Sequence, residues 1–193
     1  MHPTVILAST SRYRRELLAR LLLPFEVHPP AVDETPLPDE QPRALAERLA
    51  FEKAMAVARR FPEAVVIGSD QVADLAGEPL GKPGDHARAT EQLRRMRGQT
   101  LLFQTAVAVV CQSTGFSQRE LVPVRVVFRN FSDAAIERYL QAEQPYDCAG
   151  SAKSEGLGIA LLDAIDSDDP TALVGLPLIR TANMLRAAGI DLL

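Results

Sequence analysis

The sequence predicts an α/β fold in which a mixed sheet is flanked by helices. Three observations predict it. Short β-rich apolar runs alternate with helix-length amphipathic stretches along the 193 residues. Hydrophobic residues make up 47% of the chain and charged residues 24%, the balance of a globular protein with a core to bury. Two long β-rich stretches, Thr100 to Cys111 and Arg119 to Phe131, follow one another directly. They read as a hairpin or meander pair, so the sheet is not purely parallel.

Each element has a local reason. Thr4 to Ala8 (TVILA) is a short apolar run of the buried-strand type. Ser9, Thr10 and Ser11 supply hydroxyl oxygens that cap a helix running to about Leu22, ahead of Pro24. Phe25 to His28 reads as a second strand, and the proline-rich, acidic stretch from Pro29 to Pro42 as a loop. Pro42 suits the first turn of a long helix over about Arg43 to Phe61. Ala64 to Gly68 (AVVIG) reads as a central strand, followed by Gln71 to Ala76 and a turn at Gly77. Asp85 caps a helix to about Met96 that Gly98 ends. After the two long strands, Ser132 caps a helix to about Ala142. A glycine-rich segment from Gly150 to Gly158 leads to a strand near Ile159 to Ile165. The last helix spans about Pro177 to Ala188 and stops at Gly189.

Composition excludes several functions. Lys plus Arg total 21 against 25 for Asp plus Glu, a net charge of -4, so there is no general basic field for a nucleic-acid polymer. No run approaches the roughly 20 apolar residues of a bilayer span. The N-terminus lacks the basic region, long apolar stretch and cleavage site of a signal peptide. Cys111 and Cys148 form neither a disulfide framework nor a metal-spaced set, and three scattered histidines do not complete one. These features predict a cytoplasmic protein with reduced thiols. The chain has no GxxxxGK[ST] loop, no GxGxxG before a helix and no GxSxG elbow.

Charges in unexpected places point to a site. Arg14 lies on the same helical stripe as Leu17, Leu18 and Leu21, in the first turn after the hydroxyls of Ser9 and Ser11. Strand, hydroxyl-rich turn and helix N-terminus together make an anion cradle; the alternative is a cation snorkelling off the end of the stripe. Lys53 falls within the arc of Leu45, Leu49, Ala56 and Val57, whereas Arg48, Glu52 and Arg59 share the solvated arc. An inward lysine needs a partner, either a carboxylate or a ligand phosphate. Asp70 follows the end of a buried strand run, where α/β sheets put their ligands, though an acidic residue there can also only cap a turn. Glu34 lies in an acidic loop, and Lys82 on a Gly-Lys-Pro turn that displays it. Asp166, Asp168 and Asp169 lack the spacing of an EF-hand loop and read as a solvated turn. Arg14, Arg15, Lys53 and Lys82 are candidate phosphate cations, with Glu34 and Asp70 as candidate metal or base carboxylates. That set suits metal-assisted attack of water on a phosphate.

The order of motifs resembles the Maf family. The segments are LASTSRYRRELL (7 to 18), VDET (32 to 35), LAFEKA (49 to 54), VIGSDQV (66 to 72), GKP (81 to 83), CAGSAKSEGLGI (148 to 159) and LVGLPL (173 to 178). Gln71 and the SxKSEG form of the glycine-rich loop, Ser151 to Gly156, resemble the 7-methyl-GTP pyrophosphatase branch. One departure is Arg12, where the family usually has Pro. Because Pro supplies only a fixed φ, the change is expected to alter the stiffness of the turn more than its chemistry.

The resemblance implies a Maf/inosine-triphosphatase-like fold of two lobes around a central cleft, with 1–193 a single domain. It implies hydrolysis of a nucleoside triphosphate to the monophosphate and pyrophosphate with a divalent cation, Mg²⁺ or Mn²⁺. Asp70 corresponds to the proton acceptor, and Tyr13, Gln71 and Glu155 correspond to positions tied to base choice. Ser9, Ser11, Arg14, Arg15, Lys53 and Lys82 would bind phosphate, and Glu34 and Asp70 the metal. Homodimers are frequent in the family. Two other readings are a dTTP/UTP pyrophosphatase, against which Gln71 and the loop type stand, and a non-catalytic nucleotide-sensing module in septum control. Against the latter stand Asp70, Lys53 and Lys82, all present.

Overall fold

The structure is a computed structural model that describes residues 3–193. Seven strands form one mixed sheet. In chain order they are β1 (Val5–Ala8), β2 (Phe25–His28), β3 (Val65–Leu75), β4 (Glu78–Leu80), β5 (Thr100–Cys111), β6 (Phe116–Phe128) and β7 (Leu162–Asp166). The helices are α1 (Arg12–Ala19), α2 (Pro42–Ala58), α3 (His86–Met96), α4 (Asp133–Glu143) and α5 (Leu178–Ala187). The sheet order is β2-β1-β3-β5-β6-β7, with β4 also paired to β3. β1 is parallel to both β2 and β3, and every other pairing is antiparallel. None of the helices is long and apolar enough to cross a membrane among the described residues.

Alternation along β1 sends its side chains to two cores. Val5 and Leu7 pack with Leu17 and Leu18 of α1 and Met184 and Leu185 of α5. Ile6 and Ala8 face Ala54, Val57 and Ala58 of α2 on the opposite side. A third core joins α3 and α4 to the far halves of β5 and β6, through Leu93, Met96, Ile136 and Leu140 against Phe103, Val124 and Phe128. The long strands β3, β5 and β6 run through both regions, so two lobes share one sheet.

Most helix starts follow the capping chemistry read from sequence. Ser11, Asp85 and Ser132 each accept the N–H of the third residue on, at 3.4, 2.8 and 3.2 Å. Elsewhere the boundaries shift. The first helix ends at Ala19, and Leu22 beyond it has φ +55°. The two runs 64–68 and 71–76 are a single eleven-residue strand, because β5 pairs along it from Val66 to Asp74. β4 was not foreseen; the positive φ values of Ala76 and Gly77 make the tight hairpin that folds it back onto β3. The segment from Leu157 to Leu161 is 3₁₀ helix, so the strand expected from Ile159 begins at Leu162.

Two charged residues read as solvated are not. Asp169 is fully buried: its carboxylate accepts the N–H groups of Ile179 and Arg180 at 2.8 and 3.2 Å and the Thr171 hydroxyl at 2.9 Å, capping α5. Arg48 donates to Glu40 at 2.7 and 2.8 Å, to Glu52 at 3.1 Å and to the Thr35 carbonyl at 3.2 Å. It thereby ties the proline-rich loop to α2.

α2 crosses β3 at backbone distance. A Cβ on Gly68 would lie 2.2 Å from the Ala50 carbonyl oxygen and 2.6 Å from the Ala54 nitrogen. Gly68→Ala is expected to destabilise the protein by about 1–3 kcal/mol, because the helix has to lift off the strand. Denaturant unfolding checks this, with a wild-type midpoint as the contrary result. The Arg48 hydrogen bond, partly opposed by burial, holds the Glu40 carboxyl down from the ordinary 4.5 to about 2. A depressed carboxylate stabilises the fold above its ordinary pKa, and that stabilisation is lost as the pH falls toward the folded value. The stability difference between wild type and Glu40→Gln is therefore expected to be full near neutrality and to shrink below pH 4.5 toward about 2. Unfolding curves taken across that range measure it.

Candidate active site

The cleft lies where the sheet is incomplete. One edge of β3 pairs with β1 through Gly68 and with β4 from Ala73. Ser69 to Val72 have no strand beside them on that edge. This is also the point where chain order reverses across the sheet: β2 and β3 lie on either side of β1, so the helices following β1 and β2 pack on opposite faces. Such a switch point opens a crevice at the strand ends. The cavity is about 890 Å³, ample for a nucleotide.

At one end of the cleft sits Lys53, 4% exposed. The backbone contact at Gly68 brings this α2 side chain over β3. Its ammonium donates to Asp70 at 2.6 Å and is bridged to Glu34 at 2.7 Å. Asp70 is 7% exposed, whereas Glu34 reaches in from the loop with half its side chain in solvent. Burial pushes the Glu34 carboxyl up, but the Lys53 hydrogen bond and the charges of Lys53, Lys82 and Arg14 outweigh it, and the net shift is downward. Desolvation lowers the Arg14 guanidinium from its ordinary value, against the pull of Asp70 and Glu34; a guanidinium remains charged regardless. Its Nε donates to the Gly175 carbonyl at 2.8 Å, which fixes its direction.

The two serine hydroxyls have a divided role. Ser9 Oγ accepts the Ser11 N–H at 3.0 Å, and Ser11 Oγ accepts the Arg14 N–H at 3.4 Å. Each keeps its own proton for a ligand. Lys82 is exposed, on a turn whose Gly81 carbonyl is held by Gln92 Nε2 at 3.0 Å.

A second group of side chains lines the other end. Tyr13 and Cys148 are half-buried, and Asp147 and Glu155 are exposed. The Tyr13 hydroxyl lies 3.5 Å from Asp147 Oδ1 and 3.9 Å from Cys148 Sγ. Burial, with the Asp147 charge behind it, pushes the Cys148 thiol up to about 12, so it is protonated at neutral pH. Glu155 enters no side-chain hydrogen bond or ion pair among the described residues. Gln71 turns its amide nitrogen inward to the carbonyls of Ala172 and Leu173, at 3.0 and 2.9 Å, leaving its amide oxygen for the cleft.

Of the residues singled out from sequence, Ser9, Ser11, Tyr13, Arg14, Glu34, Lys53, Asp70, Gln71, Lys82 and Glu155 all line this cavity. Arg15 is exposed and does not line it. Arg12 has more chemistry than the stiffness of a turn. Its guanidinium donates to the Tyr13 hydroxyl at 2.7 Å, covers one face of that ring at 4.7 Å, and lies 3.9 Å from Asp147. Asp147 and Tyr146 also line the cleft and carried no signal in the sequence, since a lone acidic or aromatic residue in a turn has no periodicity to betray it.

The donor set suits a divalent cation. Glu34 and Asp70 converge on one point, now filled by an ammonium, and both are hard oxygen donors. No group of three or more metal-type side chains exists among the described residues. Two carboxylates are nevertheless enough for Mg²⁺ or Mn²⁺ when substrate phosphates and water complete the shell.

Comparison with known proteins gives the family. The family model described as "Maf-like protein" matches residues 4–188. A 7-methyl-GTP pyrophosphatase of Polaromonas sp. (strain JS666 / ATCC BAA-500) is 73% identical over 188 residues, 97% of this chain and 86% of its own length. One from Albidiferax ferrireducens is 67% identical, covering 98% of this chain and 95% of its own length. Another, from Aromatoleum aromaticum, is 63% identical with 96% coverage of each. With the family model matched over nearly the whole chain and relatives at this identity, the protein belongs to the Maf family.

Proposed function

We propose that the protein hydrolyses 7-methyl-GTP to 7-methyl-GMP and pyrophosphate, and that residues 1–193 act as one catalytic domain. One observation carries this reading: a buried ammonium gripped by two carboxylates at the open stretch of β3. The names of the relatives support the substrate.

The triphosphate would enter at the end of β1, over the N-terminus of α1. Free backbone N–H groups, the Ser9 and Ser11 hydroxyls, and the cations of Arg14, Lys53 and Lys82 meet its negative charge there. Arg15 would add only a distant field from the surface. Water attacks the α-phosphorus and its oxygen forms the new P–O bond. The bond from that phosphorus to the bridging oxygen breaks, and pyrophosphate leaves with the electron pair. Asp70 takes the proton of the water; Lys53, drawn onto the phosphate oxygens, frees the Asp70 carboxylate to do so. Charge spread over the phosphoryl oxygens is met by groups already in place, so positioning and electrostatics do most of the work. A divalent cation held by Glu34 and Asp70, Mg²⁺ or Mn²⁺, would supply further charge neutralisation on the triphosphate.

The base would lie at the far end. A 7-methylguanine ring is cationic and presents N1–H and the N2 amino group as donors. A carboxylate accepts both, and among the described residues Glu155 is the cleft carboxylate without a partner. Arg12 covers one face of Tyr13, and the base would stack on the other. The Gln71 amide oxygen is a further acceptor. The free thiols of Cys111 and Cys148 fit a reducing, cytoplasmic setting.

Asp70→Asn is expected to abolish pyrophosphate release from 7-methyl-GTP, with metal present or absent, while circular dichroism remains that of the wild type. Near-normal turnover by the folded variant would exclude Asp70 as the proton acceptor. Glu155→Gln is expected to lower the kcat/KM preference for 7-methyl-GTP over UTP by about tenfold or more, since charged hydrogen bonds contribute about 1.5–3 kcal/mol. An equal fall for 7-methyl-GTP, GTP, UTP and dTTP would mean that Glu155 does not read the base.

A further inference from the structure

Glu155 sits near the tip of a loop whose two feet are held by one carboxylate. Glu143, the last residue of α4, takes the Lys153 ammonium on Oε1 at 2.5 Å and the Leu157 N–H on Oε2 at 2.7 Å. Its side chain is only 15% exposed and that of Lys153 is 22% exposed, so the pair is not a solvent-screened surface bridge.

The loop is shaped around that carboxylate. A Cβ on Gly156 would stand 2.6 Å from Glu143 Oε2, so glycine there lets the carboxylate lie directly against the loop backbone. A Cβ on Gly158 would lie 2.5 Å from the Lys153 carbonyl oxygen, so the two feet pack backbone to backbone. One turn of helix earlier, the Tyr139 hydroxyl donates to the Ser151 carbonyl at 3.1 Å and accepts the Lys153 N–H at 3.0 Å. Ser151, at φ +55°, donates its hydroxyl to Gln92 Oε1 at 2.6 Å. The feet are thus fixed to α3 and α4, and Glu155 between them is left without a partner in the cleft.

Lys153 is the cation most able to spoil that arrangement, since it stands two residues from Glu155 on the same loop. The hydrogen bond to Glu143 is the main influence holding its proton, with smaller pulls from Tyr13 and Glu155. Of these partners, Glu155 is the one other carboxylate. Without the Glu143 charge, the ammonium would turn to Glu155 and neutralise the group that meets a cationic base.

We propose that Glu143 is a positioning residue for base selection: it holds the Lys153 ammonium away from Glu155 and pins the loop that presents Glu155 to the cleft. This rests on the reading that Glu155 meets the base. Glu143 touches no substrate and acts through Lys153 and Glu155. Its removal therefore changes which nucleotide is preferred, whereas a merely structural residue would lower turnover of every nucleotide alike.

The test is kcat/KM for 7-methyl-GTP and UTP in Glu143→Gln, Lys153→Met, the double variant and Glu155→Gln. The glutamine keeps an oxygen for the Leu157 N–H and loses only the charge that holds Lys153. Glu143→Gln is expected to lower the 7-methyl-GTP to UTP ratio by about fivefold to tenfold, the scale of a charged hydrogen bond compromised by a competitor. Lys153→Met alone keeps the wild-type ratio, and adding it to Glu143→Gln restores that ratio. Equal loss for both nucleotides in Glu143→Gln, or no restoration in the double variant, overturns the proposal. If Glu143→Gln alone does not fold, the double variant, which leaves no unpaired charge, is compared with Lys153→Met: equal 7-methyl-GTP to UTP ratios are expected, and a lower ratio in the double variant overturns the proposal. A Glu155→Gln variant that retains the ratio overturns the base reading itself, so the two failures are told apart.

Discussion

An ammonium withdrawn from water is tolerated only where carboxylates replace its hydration, and the placement of Lys53 meets that demand. Its two partners come from separate parts of the chain: Asp70 from the central strand and Glu34 from the proline-rich loop. Much of the surrounding architecture serves this meeting. Gly68 lets α2 lie on β3 at backbone distance, which is why a side chain on the helix can reach one on the strand. Arg48 ties the loop that carries Glu34 to the same helix, through Glu40 and the Thr35 carbonyl. The three groups are thus a junction of helix, strand and loop, and a triphosphate entering there would compete for an ammonium that is already desolvated.

The wall facing that junction is held by backbone carbonyls. The turn from Ala172 to Gly175 receives Gln71 and Thr105 on its first residues. Its Gly175 carbonyl lies within hydrogen-bond distance of both Arg14 Nε and Ser69 Oγ. Asp169, buried just before this turn, caps α5 just after it. Polar side chains aimed at main-chain oxygens give a wall of defined position at the edge of an otherwise apolar sheet. Two of them, Arg14 and Gln71, also present atoms to the cleft.

At the far end, control of charge matters more than packing. Tyr13, Arg12, Asp147 and Cys148 form one cluster, in which burial keeps the thiol protonated. Next to them, the glycine-rich loop holds its own cation against Glu143, and Glu155 has no partner among the described residues. The two parts of the cleft therefore differ in kind: one gathers cations, and the other holds an unpaired carboxylate.

Much of this was legible in the chain alone, for identifiable reasons. Capping residues, apolar runs and glycine stops are local, so β2 and β5 fell on their bounds and the helix starts at Ser11, Asp85 and Ser132 were foreseen. Lys53 stood out because a charge on an apolar arc violates helical periodicity. The ordered motifs pointed to the family and the cleft. What the chain alone left undecided depended on partners distant in sequence. The union of two short runs into β3 required β5 alongside, and the burial of Asp169 required the start of α5 ten residues later. Glu143 and Asp147 gave no sign, because an acidic residue in a loop or at a helix end looks the same in sequence whether water or a lysine surrounds it. Periodicity and capping are properties of the nearest few residues, so sequence determined the elements and the family. The pairing of charges is a property of distance in space, so only the packed sheet and helices decided which carboxylates were spent and which were left free.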